Sequence, residues 1–314
     1  MSLYNPMIQT SEAHAYIEIE KFVRLVVKTS DMPFHVETDS NSQPVIIPRL
    51  LAKEFYQLTR YWSHYSTGLS YEPEQQAYWD ACMATGFINA HGPTEQAFEY
   101  SQSIHAHAYA VNDLVRFIRA RADTEAFQRR VSDRKYQAGE KCASMDQFVR
   151  EALARYARSL VVRVDFGYQK AAQHLVTIED VYAHVDALCM AKQSDDAFRG
   201  LVGYALAIEQ GEQRGYHIHF IAIIDGNQFQ SSWFRGTEYA RLWQRIAGNH
   251  GSAFICSEQE PYYHAKGVGH FRRDEPESHD GVMRAAQYLT EYKEDQYLRA
   301  RPEGRRVFRT FLRA

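Results

Sequence analysis

Gly215-Tyr216-His217-Ile218-His219-Phe220-Ile221-Ala222-Ile223-Ile224 is the stretch on which the fold turns. It is rich in β-branched and aromatic residues and ends at the turn signal Asp225-Gly226-Asn227, so it reads as a buried β-strand. Side chains alternate faces along a strand, which puts His217 and His219 on one face and Ile218 and Phe220 on the other. A lone strand histidine is ordinarily a satisfied core or surface residue. Two on one face of so apolar a strand are less ordinary, because a buried polar group without a partner costs about 1–3 kcal/mol.

Working outward, Leu201 to Gln210 reads as a second strand that ends in Glu209. The segment Gln210–Arg214, with Gly211 inside it, folds the chain back as a hairpin and brings the Glu209 carboxylate beside the two imidazoles. Two histidines and one carboxylate make a ligand set for a divalent cation that leaves coordination positions open, as catalysis requires.

The rest of this half continues the alternation of strands and helices. Ser159 to Phe166 is a strand. Thr177 caps a helix that runs to about Phe198, with Asp180 in its first turn. Thr237 to Ala247 is a helix and Ala253 to Ser257 a short strand. Glu258 to Asp280 is a long polar loop holding Tyr262, Tyr263, His264, Lys266 and His270, and loops of that length are often functional. The order β-α-β-β-α-β-α predicts an α+β domain with a largely antiparallel sheet flanked by helices. Asp165 closes the first strand. A strand-end Asp is ordinarily a solvated turn residue; the alternative is a carboxylate that orients a ligand histidine.

The first half reads as mostly α-helical. Glu12 to Lys28, Arg49 to Trp62, Glu74 to Met83 and Thr94 to Arg121 carry helical patterns, and Pro48 is a first-turn proline for the second of them. His105 and His107 repeat the His-x-His spacing, but inside a helix, where i and i+2 do not share a face. Arg129 to Ala143 is polar, contains Gly139 and reads as a linker. Ser144, with Gln147 three residues on, opens the next helix. The chain thus divides at 1–143 and 144–314.

With 314 residues the chain is long enough for one large or two ordinary domains. No apolar run approaches bilayer length and no basic-then-apolar leader opens the chain, so a cytoplasmic protein without membrane contact is expected. Cys82, Cys142, Cys189 and Cys256 are scattered and read as free thiols. A net charge of −3 argues against a protein that coats nucleic acid non-specifically. It does not exclude a local basic surface, and Arg299, Arg301, Arg305, Arg306, Arg309 and Arg313 form one near the C-terminus.

Gly281 to Glu294 reads as a helix with Tyr288 and Tyr292 one turn apart on one face. Two tyrosines so spaced are commonly a packed stripe. Beside a metal they are nucleophiles: a phenol with a pKa of about 10 attacks poorly alone, and a divalent ion compensates by polarising a phosphodiester and neutralising its charge.

Taken together, Glu209, His217-Ile218-His219 and the later tyrosine pair resemble the HUH endonucleases, the superfamily of rolling-circle replication initiators and relaxases. The tyrosines follow the histidines, which is the initiator order. Tyr288-Leu-Thr-Glu-Tyr292, Asp295-Gln-Tyr-Leu-Arg299, Pro302 to Thr310 and Arg163 to Tyr168 are similar to inovirus-type (filamentous phage and prophage) replication proteins. The resemblance covers Ser159 to the C-terminus.

It implies a metal-dependent nickase. Glu209, His217 and His219 would bind Mg²⁺ or Mn²⁺. Tyr288 would attack single-stranded DNA at a replication origin, keep the 5′ end as a phosphotyrosine and release a 3′-hydroxyl. Tyr292 would make the second cut that ends a round. Arg299, Arg301, Arg305, Arg306 and Lys266 would contact DNA, with host helicase and polymerase as further partners and the oligomeric state left open. Members often carry a lysine three residues after the tyrosine. Glu291 and Asp295 stand there instead, so Lys293 and Lys266 are the alternatives for the active-site cation. Two other classes fit the same residues: a non-catalytic origin-binding or regulatory protein, and a metal hydrolase that uses water.

Overall fold

The computed structural model describes residues 11–94, 104–256, 267–275 and 279–313. The fold is α+β, with a largely antiparallel six-stranded sheet flanked by helices. In chain order the elements are α1 Glu12–Lys28, β1 Phe34–Thr38, β2 Pro44–Pro48, α2 Leu50–Leu58, β3 Leu69–Tyr71, α3 Pro73–Ala84, β4 Ile88–Asn89, β5 Gly92–Pro93, α4 Ile104–Ala122 and α5 Glu125–Ala154. They continue with β6 Arg158–Tyr168, α6 Ile178–Ala191, β7 Leu201–Gly211, β8 Gly215–Asp225, α7 Ser232–Ala247, β9 Gly251–Cys256, β10 Gly269–Arg272, α8 His279–Gln287, β11 Ala300–Pro302 and β12 Phe308–Leu312.

Contacts divide the chain into two compact units, residues 1–133 with 299–303 and residues 134–298 with 304–314. The division falls inside α5. The expected linker 129–143 is helix throughout, and Ser144 lies mid-helix rather than at a cap. The stretch is polar because most of its residues face solvent, and a single glycine costs a helix only about 1 kcal/mol. Composition therefore imitates a linker where the backbone is continuous.

The first unit is largely helical, as its sequence predicts. Pro48 ends β2 instead of starting α2, whose cap is Arg49. Trp62, Trp79, Tyr16, Tyr61, Tyr78 and Phe55 fill its core. The segment β11 returns to this unit and pairs antiparallel with β3.

In the second unit the sheet runs β10-β6-β8-β7-β12, with β9 sharing the outer edge of β6 with β10. Strand β8 separates two packing faces. Ile218 and Phe220 point into an aromatic layer: Phe166 stacks on Trp243 at 5.0 Å, and Phe220 meets Tyr239 edge-on at 5.0 Å, both partners coming from α7. On the opposite face Ile221 and Ile223 join Met145, Phe148 and Val149 of α5 and Val282 and Ala286 of α8. Aliphatic packing fills one end of this second face, and ionisable side chains occupy the other.

Helix α6 starts on a full capping box between Thr177 and Asp180, as the sequence predicts. It stops at Ala191, short of the expected Phe198. The four cysteines are free, Cys82 and Cys256 buried and the other two half-buried. Within the expected loop 258–280, Tyr262, Tyr263, His264 and Lys266 lie outside the described residues, whereas His270 sits in strand β10. No helix among the described residues is long and apolar enough to cross a membrane.

Candidate metal centre

The hairpin forms as the sequence predicts. Strands β7 and β8 pair with Glu209 opposite His217 and Ala207 opposite His219. Directly opposed residues share a face, so the carboxylate and both imidazoles converge, and all three are buried. Glu209 Oε2 lies 3.2 Å from His219 Nε2 and 3.5 Å from His217 Nε2. The candidate ligand atoms all fall within 4.8 Å of one another, a group that could hold a metal ion.

Hydrogen bonds fix which nitrogen would bind. His217 Nδ1 donates to the carbonyl of Gly215 at 3.1 Å, which leaves a lone pair on Nε2. That Nε2 is buried and has no hydrogen-bond partner. His219 Nδ1 donates to Asp165 Oδ1 at 2.7 Å, which again turns Nε2 toward Glu209. A buried nitrogen acceptor with nothing to accept is costly in a protein interior, and a cation at the focus of the three ligands would relieve it. The carboxylate behind His219 is the arrangement that orients metal-binding histidines.

Asp165 thereby departs from the expected solvated turn residue. It sits inside β6, directly opposite His219, is 7% exposed, and pairs with Arg163 and Arg214 at 3.5 Å each. Burial raises its pKa, but the His219 hydrogen bond and the charges of His219, Arg163 and Arg214 outweigh burial and hold it well below the usual carboxylate range. Burial likewise raises the Glu209 pKa. The His217 and His219 imidazoles that face it, helped by the His219 and Lys293 charges, lower it to about 2. For His219 burial favours the neutral ring, yet the bonds and charges of Asp165 and Glu209 prevail and raise its pKa. Without metal, a proton on His219 occupies the electrostatic role a cation would take.

Tyr288 stands at the mouth of this group, 38% exposed. Its ring meets His219 edge-on at 5.5 Å, with the Arg163 guanidinium 4.6 Å and the Lys293 ammonium 3.5 Å from its centroid. Lys293 Nζ also lies 3.4 Å from Glu209 Oε2. Helix α8 ends at Gln287, not at Glu294. Both Thr290 N–H and Glu291 N–H close on the Gln287 carbonyl, at 2.8 and 2.9 Å, which tightens the chain into a turn. Tyr292 thus lies beyond the helix end, not on a continuous helical face with Tyr288. The same turn brings Lys293 over the Tyr288 ring.

The basic C-terminal stretch is mostly spoken for. Arg299 is 3% exposed and ion-paired with the buried Glu20, which excludes it from a DNA surface. Arg301 reaches Glu72 at 3.6 Å. Arg305 and Arg309 both grip Asp186, at 2.5 and 2.8 Å, over the Tyr182 ring. Of the five residues expected to contact DNA, Arg306 is exposed and Lys266 lies outside the described residues. Arg163 is the site residue the sequence left unmarked. The signal was there: Arg163 and Asp165 alternate on an apolar strand, the parity that singled out His217 and His219.

No protein-family model matches the chain, and no curated protein or solved structure does.

Proposed function

We propose that the protein is a metal-dependent DNA strand-transfer enzyme that nicks and rejoins single strands through Tyr288, in the manner of a rolling-circle replication initiator. The single observation that carries this reading is the meeting of Tyr288, Arg163 and Lys293 with the buried Glu209–His217–His219 group. A bare metal hydrolase has no need of a phenol there, and a packed tyrosine stripe has no need of an orphan imidazole.

The Nε2 atoms of His217 and His219 and the Glu209 carboxylate would hold Mg²⁺ or Mn²⁺. The carboxylate suits either ion, and Mn²⁺ tolerates two imidazole ligands better than the reluctantly dehydrated Mg²⁺. When bound, such an ion withdraws electron density from a phosphodiester and neutralises its charge. The Tyr288 oxygen forms a bond to phosphorus as the bond to the 3′-oxygen breaks. The phenol proton passes to water at the exposed mouth, and the leaving 3′-oxygen takes a proton to become a hydroxyl. Arg163 and Lys293, against the ring, offset the negative charge that gathers during attack. The phosphotyrosine conserves the bond for rejoining. Tyr292 would make the second cut that ends a round.

Labelled single strands incubated with protein and Mn²⁺ test the reading. A covalent adduct should form with the wild type and with Tyr292→Phe, and vanish with Tyr288→Phe or chelator. Cleavage that survives Tyr288→Phe without an adduct would mean that water is the nucleophile. DNA binding indifferent to chelator, with no cleavage, would mean a non-catalytic binder.

A further inference from the structure

Next to the metal ligands, on the same face of the sheet, lies a cavity of about 270 Å³ that the chemistry above does not use. Its walls include Asp165, His217, Arg214, Lys170, Ser252 and Phe254. The sheet register explains why it exists. One cross-strand row contains Phe254, Asp165, His219 and Ala207. The next contains Ser252, Gly167 and, across the hairpin, His217 with Glu209. Gly167 contributes no side chain, so the second row has a gap between Ser252 and His217. A Cβ placed there would sit 3.5 Å from Ser252 Oγ and 3.8 Å from His217 Cβ, ordinary contact distances. Neither strain nor crowding forces glycine at this position, and what its absence of a side chain provides is space.

The walls carry a distinct chemistry. Phe254 is 44% exposed on strand β9, a flat apolar ring presented at the cavity rim. Arg214 is half-exposed, and Lys170 is exposed. Their two positive charges face one carboxylate, Asp165, which is already shared among His219, Arg163 and Arg214. The Arg214 turn is pinned by Gln173, whose side-chain amide donates to the Arg214 carbonyl at 3.0 Å. An aromatic platform beside two cations is what one nucleotide of a single strand asks for: a base stacks on the ring and the phosphate meets the cations.

We infer that this cavity is a subsite for one nucleotide of single-stranded DNA, with its base against Phe254 over the Gly167 gap and its phosphate toward Arg214 and Lys170. The subsite opens on His217, so the nucleotide bound there neighbours the phosphodiester presented to the metal group. The identification of the ligand as DNA rests on the function proposed above; the cavity and its walls do not.

The test separates the two. Binding of a short fluorescein-labelled oligothymidylate to the full-length protein is measured by anisotropy in chelator, where neither metal nor cleavage contributes. Phe254→Ala removes the platform, and Gly167→Val fills the gap from a strand position that accepts a side chain. Each should weaken binding by about tenfold or more, the lower range of losing one stacked base. Mn²⁺ affinity, measured separately by calorimetry, should stay unchanged in Phe254→Ala, which shows that the variant is folded. An abasic residue scanned along the oligonucleotide should locate one position at which the Phe254→Ala defect disappears. Wild-type affinity in both variants, no single sensitive position, or equal competition by free thymidine monophosphate would each overturn the subsite. If the subsite behaves as expected but no Tyr288 adduct forms with Mn²⁺, the subsite stands and the nickase reading falls. An adduct whose formation is indifferent to both variants gives the reverse.

Discussion

The chain contains two His-x-His pairs, and they have opposite fates. His217 and His219 lie on strand β8, their rings 5.0 Å apart on one face, between Glu209 and Asp165. His105 and His107 lie on helix α4, where the same spacing turns the two side chains about 200° apart. His107 stacks on Tyr56 at 5.8 Å and meets Phe87 edge-on. Burial there lowers the His107 pKa. Burial acts on His219 in the same direction and loses to two carboxylates. One sequence pattern therefore makes a convergent pair beside two carboxylates or a packed aromatic, according to the period of the backbone that carries it.

Removing the pairs gives the largest expected contrast. His217→Ala or His219→Ala should weaken Mn²⁺ binding by more than about a hundredfold in calorimetry, beyond what losing an outer partner costs. His105→Ala and His107→Ala should leave it untouched. Comparable losses from both pairs would erase the distinction.

Next in size is the outer carboxylate. Asp165→Asn keeps the shape and a hydrogen-bond acceptor but removes the charge behind His219. It should cost about 10–100-fold in metal affinity. Full affinity in this variant would reduce Asp165 to a packing role.

Titration sharpens the contrast because the two histidines shift in opposite directions. A proton and a metal compete for His219 Nε2. As pH falls through its raised pKa, metal affinity should fall, starting at a higher pH than for an ordinary imidazole, and Asp165→Asn should move that midpoint downward. In the metal-free protein His219 is more basic folded than unfolded. Its contribution to stability is present at pH below its unfolded pKa and is lost as pH rises through the folded one. His107 is less basic folded than unfolded, so its contribution is present above the unfolded pKa and is lost as pH falls through the folded one. Urea midpoints across pH for His219→Gln and His107→Gln should lose opposite slopes. Slopes of one sign would mean that burial governs both sites.

The smallest effect is structural. His107→Ala removes an aromatic stack and should destabilise the protein by about 1 kcal/mol in denaturant unfolding. A larger loss, or any loss of metal, would give His107 a role beyond packing.

Much of the site could be read locally. Strand parity placed His217 and His219 together, and the short hairpin placed Glu209 beside them; both depend on a dozen neighbouring residues. The same parity in Val161-Val162-Arg163-Val164-Asp165 was available, but it acquires meaning only once β6 is known to lie against β8. The arginine-rich tail shows the same limit of a local reading. Glu20 and Asp186, which hold Arg299, Arg305 and Arg309, are more than a hundred residues away in sequence, and a charge looks free until its distant partner is in place.

By itself the sequence determined the α+β class, the strand that carries the histidines and the carboxylate opposite them, because periods of two and 3.6 residues and short turns are local properties of the backbone. Only the tertiary structure decided that Asp165 stands behind His219, that α8 stops at Gln287 with Tyr288 and Lys293 beside the Glu209–His217–His219 group, and that Gly167 leaves a gap beside them. Those outcomes depend on which strands pair and on which carbonyls the following turn satisfies. Pairing between distant segments is set by the burial of whole faces, which no single stretch of the chain encodes.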